Sequence, residues 1–240
     1  MEERELRDQI RDFKKKGFGG CFIHSRAGRL IPYMGPQWMA ACRAAADEAV
    51  HIGLDVWLYD EDGWPSGFAG GLVNGKGKDF WARHLEFSAH RPTEQYENLI
   101  SAYKKIGDEY EKTDADDETA ELFCVERLVP TYVDLMNPKV TKEFIKVTHE
   151  VYKSELGEYF GKTVKGIFTD EPQLLGDYPW SSEIEKAYRA EYGEDIRNSL
   201  WKLKMCDGGY EFKYRYRKLT NKLFSESYVK PINEWCEQNG

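Results

Sequence analysis

The sequence predicts an α/β protein in which buried parallel strands alternate with amphipathic helices and an antiparallel β-segment interrupts the alternation. Three observations carry this. Short apolar runs at 20–24, 55–59, 132–136 and 164–169 each pass into polar residues at their carboxyl ends. Segments with a helical apolar period stand between these runs, so the local order is strand, helix, strand. Residues 85–130 leave this rhythm for β-prone stretches around a charged tip at 114–118.

The first segment, 2–16, carries Leu6, Ile10 and Phe13 on one stripe, Glu2 and Glu3 in its first turn, Lys14, Lys15 and Lys16 in its last, and Gly17 just beyond. That is an amphipathic helix with both end signals. A second helix starts at Pro36, places Trp38, Cys42, Ala45, Ala49 and Ile52 on one face, and is closed by Gly53. The strand 55–59 lacks strict alternation, which suits a parallel strand covered on both faces. Phe87 to His90, Ile100 to Tyr103 and Glu121 to Val129 read as an inserted antiparallel hairpin or small β-subdomain. The parallel rhythm is expected to resume at 132–136, with Asn137 as N-cap, Pro138 at the first helical position and a stripe of Val140, Phe144, Val147, Val151 and Leu156. Helices near 182–192, where Ser182 and Glu185 have capping-box spacing, and near 212–236 follow the strand 164–169. The expected organisation is 1–84 as the first βα units, 85–130 as the insertion and 131–240 as further βα units of the same domain.

With 41% apolar and 32% charged residues, the 240-residue chain has the composition of an ordinary globular protein able to bury one sizeable core. No apolar run approaches the roughly 18 residues of a membrane span, and the first helix lacks a signal-type apolar centre, so neither a membrane nor export is expected and the cytoplasm is the expected location. A net charge of -8 argues against nucleic acid as a partner. Cys21, Cys42, Cys124, Cys206 and Cys236 are odd in number and scattered, which predicts reduced thiols and disfavours a zinc site.

The segment 55–71, Asp-Val-Trp-Leu-Tyr-Asp-Glu-Asp-Gly-Trp-Pro-Ser-Gly-Phe-Ala-Gly-Gly, is the most informative of the chain. An apolar strand runs into three carboxylates that open a Gly-rich aromatic loop, the composition of a gripping or catalytic loop rather than of a plain acidic turn. In a parallel sheet all carboxyl ends share one rim. His24 and Arg26, then Asp60, Glu61 and Asp62, then Asp134 and Asn137, then Asp170 and Glu171 would meet there. Plainer readings stand beside these: His24 as a hydrogen-bonded structural histidine, Asp134 tying down its own loop, Arg26 on the surface. The glycines at 67, 70 and 71 lack the spacing of a dinucleotide fingerprint, and 75–78 is not a P-loop. Leu58 and Ala69 occupy the positions where an EF-hand needs its first and last carboxylates. A cation held by carboxylates of different strands stays open.

Paired carboxylates flanked by indoles are what glycoside hydrolysis requires, one group protonating the leaving oxygen and the other attacking or activating water. Trp64 and Trp180 each lie close to a carboxylate cluster, as sugar-stacking faces or as apolar filler. The stretches 17–26, 59–71, 133–138 and 168–172 together resemble the catalytic barrel of bacterial enzymes akin to glycoside hydrolase family 106, the α-L-rhamnosidases. That resemblance implies a (β/α)8 TIM-type barrel, an inverting carboxylate reaction on a carbohydrate substrate, and calcium near the sugar hydroxyls. It makes Glu171 the general acid, expected to be kept protonated by burial or a neighbouring carboxylate. It makes Glu61, and secondarily Asp60, a contact to sugar or cation, with Glu61 also the second candidate for a catalytic carboxyl group.

Relatives of this type are several times longer, and four core strands with a 45-residue insertion fall short of the roughly 250 residues of a full barrel. The expectation is therefore a partial barrel, a piece of a larger enzyme. Its open edge would pair with the remaining domains or with a second copy of the chain. Two functions follow as alternatives: a glycoside hydrolase, or a non-catalytic carbohydrate-binding or assembly module that lacks its second carboxyl group.

Overall fold

The computed structural model describes residues 2–26, 28–93, 95 and 97–240. In chain order the main elements are α1 (Glu3–Lys15), β1 (Gly20–Ile23), α2 (Pro36–Ile52), β2 (Asp55–Tyr59), β3 (Trp81–Ser88), β4 (Glu97–Ile106), β5 (Glu109–Thr113) and β6 (Ala120–Val133). They continue with α3 (Pro138–Val147), α4 (His149–Leu156), β7 (Val164–Phe168), β8 (Pro179–Trp180), α5 (Ile184–Tyr192), α6 (Tyr210–Phe224) and α7 (Lys230–Asn239). The chain divides into two units: the first comprises Met1–Gly75, Lys139–Gln173 and Lys230–Gly240, the second Lys76–Pro138 and Leu174–Val229.

The first unit is built on a parallel sheet of order β1-β2-β7. Its helices have the ends the sequence specifies. Pro36 stands at the start of α2, and Gly53 closes it in the left-handed conformation (φ 63°), which glycine adopts without Cβ strain. One sheet face is dry. Val56 and Leu58 pack there with Cys42, Ala45 and Ala49 of α2, Ile10 of α1, and Tyr152 and Leu156 of α4. The buried Tyr152 hydroxyl donates to the Tyr59 carbonyl (2.9 Å) and accepts from the Trp38 indole (3.1 Å), so this core leaves its phenol satisfied.

The other face departs from expectation. Phe22, Trp57 and Phe168 project from it as exposed aromatics, with Phe22 within 5.8 Å of Trp57 and 5.5 Å of Phe168 between ring centroids. The strand therefore alternates after all: Val56 and Leu58 are buried, while Asp55 and Trp57 are exposed. Trp57 lies over Gly166, where any Cβ would meet its ring.

The second unit holds an antiparallel sheet of order β5-β4-β6-β3-β8. Residues 132–136 do not form a parallel strand. Tyr132 and Val133 end the long central strand β6, and Val133 pairs with Trp81 of β3. A short apolar run carries no mark of its partner, and here the partner is antiparallel. The core of this unit gathers Leu85, Tyr103, Cys124, Met136 and Trp180 with Ile184, Tyr188, Trp201, Phe212 and Tyr216.

Two local expectations are also corrected. The stripe from Val140 to Leu156 is split between α3 and α4 at Thr148, whose hydroxyl turns back to the Phe144 carbonyl (2.6 Å). The capping box at Ser182 is not formed. Ser181 instead accepts from the Glu183 N–H (3.2 Å), while Glu185 pairs with Arg197. All five cysteines are free. No helix among the described residues is long and apolar enough to cross a membrane.

Candidate functional site

The carboxyl ends of β1, β2 and β7 bring three polar segments of the first unit to one rim. Ile23 pairs with Leu58, and Tyr59 with Phe168, so His24 comes level with Tyr59, and Asp60 and Thr169 leave the sheet together one residue further on. His24 stacks on Tyr59 at 3.7 Å between ring centroids, and Tyr59 stacks in turn on Phe168. The Tyr59 hydroxyl also reaches the Asp170 carboxylate at 3.4 Å.

Glu171 is the exposed carboxyl group of this rim. Its backbone is held at φ 44°, an uncommon conformation for a residue with a Cβ and a mark of a turn fixed by its surroundings. The Trp64 indole N–H donates to its Oε2 at 2.9 Å, and Trp64 itself is 55% exposed. The burial expected of Glu171 is thus not found at that residue. It falls on Asp60 and Glu61.

Asp60 is wholly buried. Its Oδ1 accepts from the Ser66 hydroxyl at 2.6 Å, and that hydroxyl accepts from the Asp170 N–H at 2.9 Å. Burial pushes the Asp60 carboxyl up to about 7, opposed by the Ser66 and Thr169 hydroxyls. The Ser66 N–H donates to the Asp170 carbonyl at 2.8 Å, so the loop after β2 and the turn after β7 are tied together twice through one serine.

Glu61 is wholly buried as well, and its carboxylate is surrounded by peptide N–H groups. Oε1 accepts from Asp62 (2.8 Å) and Gly70; Oε2 accepts from Gly67 (3.1 Å), Phe68 (3.0 Å) and Ala69 (2.7 Å). Burial pushes this carboxyl up to about 7 against those donors. Since every neighbour of both oxygens donates, the ionised form is the one the geometry accommodates. Glu61 therefore does not face sugar or cation as the sequence suggested. Asp62 is also engaged: Arg29 Nη2 lies 2.5 Å from its Oδ2, and the Ser25 hydroxyl donates to its Oδ1. Arg26, placed on this rim by the sequence, is exposed, and the arginine that pairs with Asp62 is Arg29.

The remaining expected site residues belong to the second unit and are buried there. Asp134 is buried, accepting from the Ser181 hydroxyl (2.7 Å) and the Met136 N–H (3.1 Å). Asn137 is buried and donates to the Asp79 carbonyl (3.3 Å). Trp180 is 3% exposed inside the core, so its indole has no face to offer a sugar. Arg29, Tyr59 and Ser66 are site residues that sequence reasoning missed. Their only signal was proximity to the acidic run or to a strand end.

Glu61, whose two oxygens are taken by N–H donors, and Asp62, ion-paired with Arg29, are not placed as calcium ligands. Among the described residues no group of three His, Cys, Asp or Glu side chains converges to hold a metal ion.

The solved structure of a rhamnosidase from Novosphingobium sp. PP1Y is similar to this chain, with a TM-score of 0.64 at 12% identity over 100% of this chain and 44% of that protein. The chain thus spans less than half the length of that neighbour. At this identity the likeness is one of fold. No protein-family model matches the chain, and no curated protein matches it. What stands is a mixed α/β fold, similar to that of a glycosidase, whose parallel sheet carries an acidic and aromatic rim.

Proposed function

We propose that this chain acts on glycosidic bonds as part of an α-L-rhamnosidase-like enzyme, with Glu171 donating the proton to the leaving oxygen. The observation that carries this reading is the exposed Glu171 carboxyl held by the exposed Trp64 indole at the carboxyl end of β7. The fold likeness to a rhamnosidase supports it, as does the resemblance of 59–71 to family 106. Trp64 stacks on the sugar face, while His24, Arg26 and Asp170 take its hydroxyls. A second copy of the chain, or further polypeptide, covers the sheet face that carries Phe22, Trp57 and Phe168.

One observation favours a second reading, a carbohydrate-binding module without turnover. Asp60 and Glu61 are buried and Asp62 is ion-paired, which leaves Asp170 as the nearby partner for Glu171 in the first unit. A panel of aryl and alkyl glycosides separates the two. Release of the aglycone by the purified chain supports the enzyme, whereas saturable binding without release supports the module. Neither binding nor release would remove both.

A further inference from the structure

We propose that Glu61 is a positioning residue: its buried carboxylate folds the 62–70 loop around itself and thereby holds the Trp64 indole on Glu171. The function assigned to it rests on the reading that Glu171 is the working carboxyl group.

The Tyr59 hydroxyl holds the Gly63 carbonyl and the Ser66 hydroxyl holds Asp60, but the turn at 67–70 closes on Glu61. Gly67 (φ 131°), Ala69 (φ 51°) and Gly70 (φ 60°) sit in left-handed backbone, the curvature that turns successive N–H groups toward one point. Glu61 occupies that point and receives five N–H donors, from Asp62 and from every residue of 67–70. Ala69 bears the strain of a positive φ with a Cβ, and its N–H makes one of the closest of these bonds, at 2.7 Å. At Gly70 a Cβ would stand 2.7 Å from the Asp62 Cβ, so the two ends of the loop touch and only glycine fits. Trp64 rides between them. Its indole reaches Glu171, and Ser66 beside it fixes the loop to the backbone of Asp170.

The chemistry separates this role from a catalytic one. A general base or nucleophile needs a lone pair facing the substrate, while both oxygens of Glu61 are filled by peptide donors and the residue is wholly buried. Glu61→Gln would then be damaging rather than silent, because an amide NH2 in place of one oxygen points donors at donors.

The test reads the Trp64 indole resonance in 15N-labelled, ligand-free protein, identified by its loss in Trp64→Phe. In the native protein Glu171→Gln should move it. In Glu61→Gln it should already be displaced, and adding Glu171→Gln should change it no further, while the other indole resonances keep their positions. Glu61→Ala should behave likewise and be partly restored by formate, a carboxylate small enough for the vacated site. Glycan affinity should fall about tenfold, the equivalent of one lost charge-assisted hydrogen bond. An unmoved Trp64 resonance in folded Glu61→Gln would overturn the proposal. Should the variants not fold, hydrogen exchange in the native protein decides: protected amides at Gly67, Phe68, Ala69 and Gly70 support it, and free exchange there overturns it. Because the indole readout needs no substrate, it stands or falls separately from the glycosidase reading.

Discussion

The Trp64 indole N–H meets the Glu171 carboxylate at 2.9 Å, joining the loop after one parallel strand to the turn after its neighbour. Both residues are exposed, so this is a contact on the rim rather than in the core. Trp180, the other tryptophan singled out in the sequence, is its opposite at 3% exposure. Trp180→Ala should cost about 3–5 kcal/mol of stability in urea unfolding, as for a large aromatic removed from a core. Trp64→Ala should cost about 0.5 kcal/mol and instead weaken glycan binding. The reverse order would exchange their roles.

Gly166 is the seat of Trp57. An added Cβ would stand 2.5 Å from the ring, so Gly166→Ala should lift Trp57 off the sheet and cost about 1–3 kcal/mol, the usual range for overpacking. Trp57→Ala in the same chain should recover most of that loss. Additive losses in the double-mutant cycle would show that the two do not interact.

Asp134 should give the second unit a pH dependence. Burial raises its carboxyl from the ordinary 3.8 to about 7, opposed by the Ser181 hydroxyl and the Met136 N–H. With the folded value raised, the stability it contributes is fully present below about 4 and is lost as pH rises through about 7. Asp134→Asn keeps an oxygen for Met136 and offers an NH2 that the Ser181 hydroxyl accepts. The variant should therefore gain stability relative to wild type between pH 5 and pH 8, and a constant difference across that range would contradict the burial argument.

His149 acts with the opposite sign in the first unit. Wholly buried against Phe144 and Trp235, its imidazole is pushed from 6.5 to about 3. The stability tied to its neutral form is present above 6.5 and lost as pH falls toward 3, at up to about 1.4 kcal/mol per pH unit. His149→Phe should flatten the acid side of the stability profile. Parallel profiles for the two proteins would show that His149 does not titrate with folding.

Much of the first unit was legible because its signals are local. Pro36 and Gly53 mark the ends of α2, and Val56 and Leu58 follow at once as β2. What failed depended on distant partners. Residues 132–136 look like any apolar strand, and only the pairing of Val133 with Trp81 makes them antiparallel. Trp180, three residues after Asp177, has the local look of a rim residue, yet the helices beyond it bury its ring. Glu61 and Glu171 leave their strands in similar sequence settings. The glycines at 67, 70 and 71 held the clue to their difference, since they turn the loop back onto Glu61 and leave Glu171 in the open.

The role of Glu171 is tested most directly by the ratio of Glu171→Gln to wild-type kcat/KM on two glycosides of the same sugar, one with an alkyl and one with a nitrophenyl leaving group. A general acid matters in proportion to how poorly the aglycone departs. The alkyl glycoside should lose roughly 10²-fold to 10⁴-fold, while the aryl glycoside should lose far less. Equal rates for variant and wild type on both substrates, or equal losses on both, would contradict the assignment of Glu171 as proton donor.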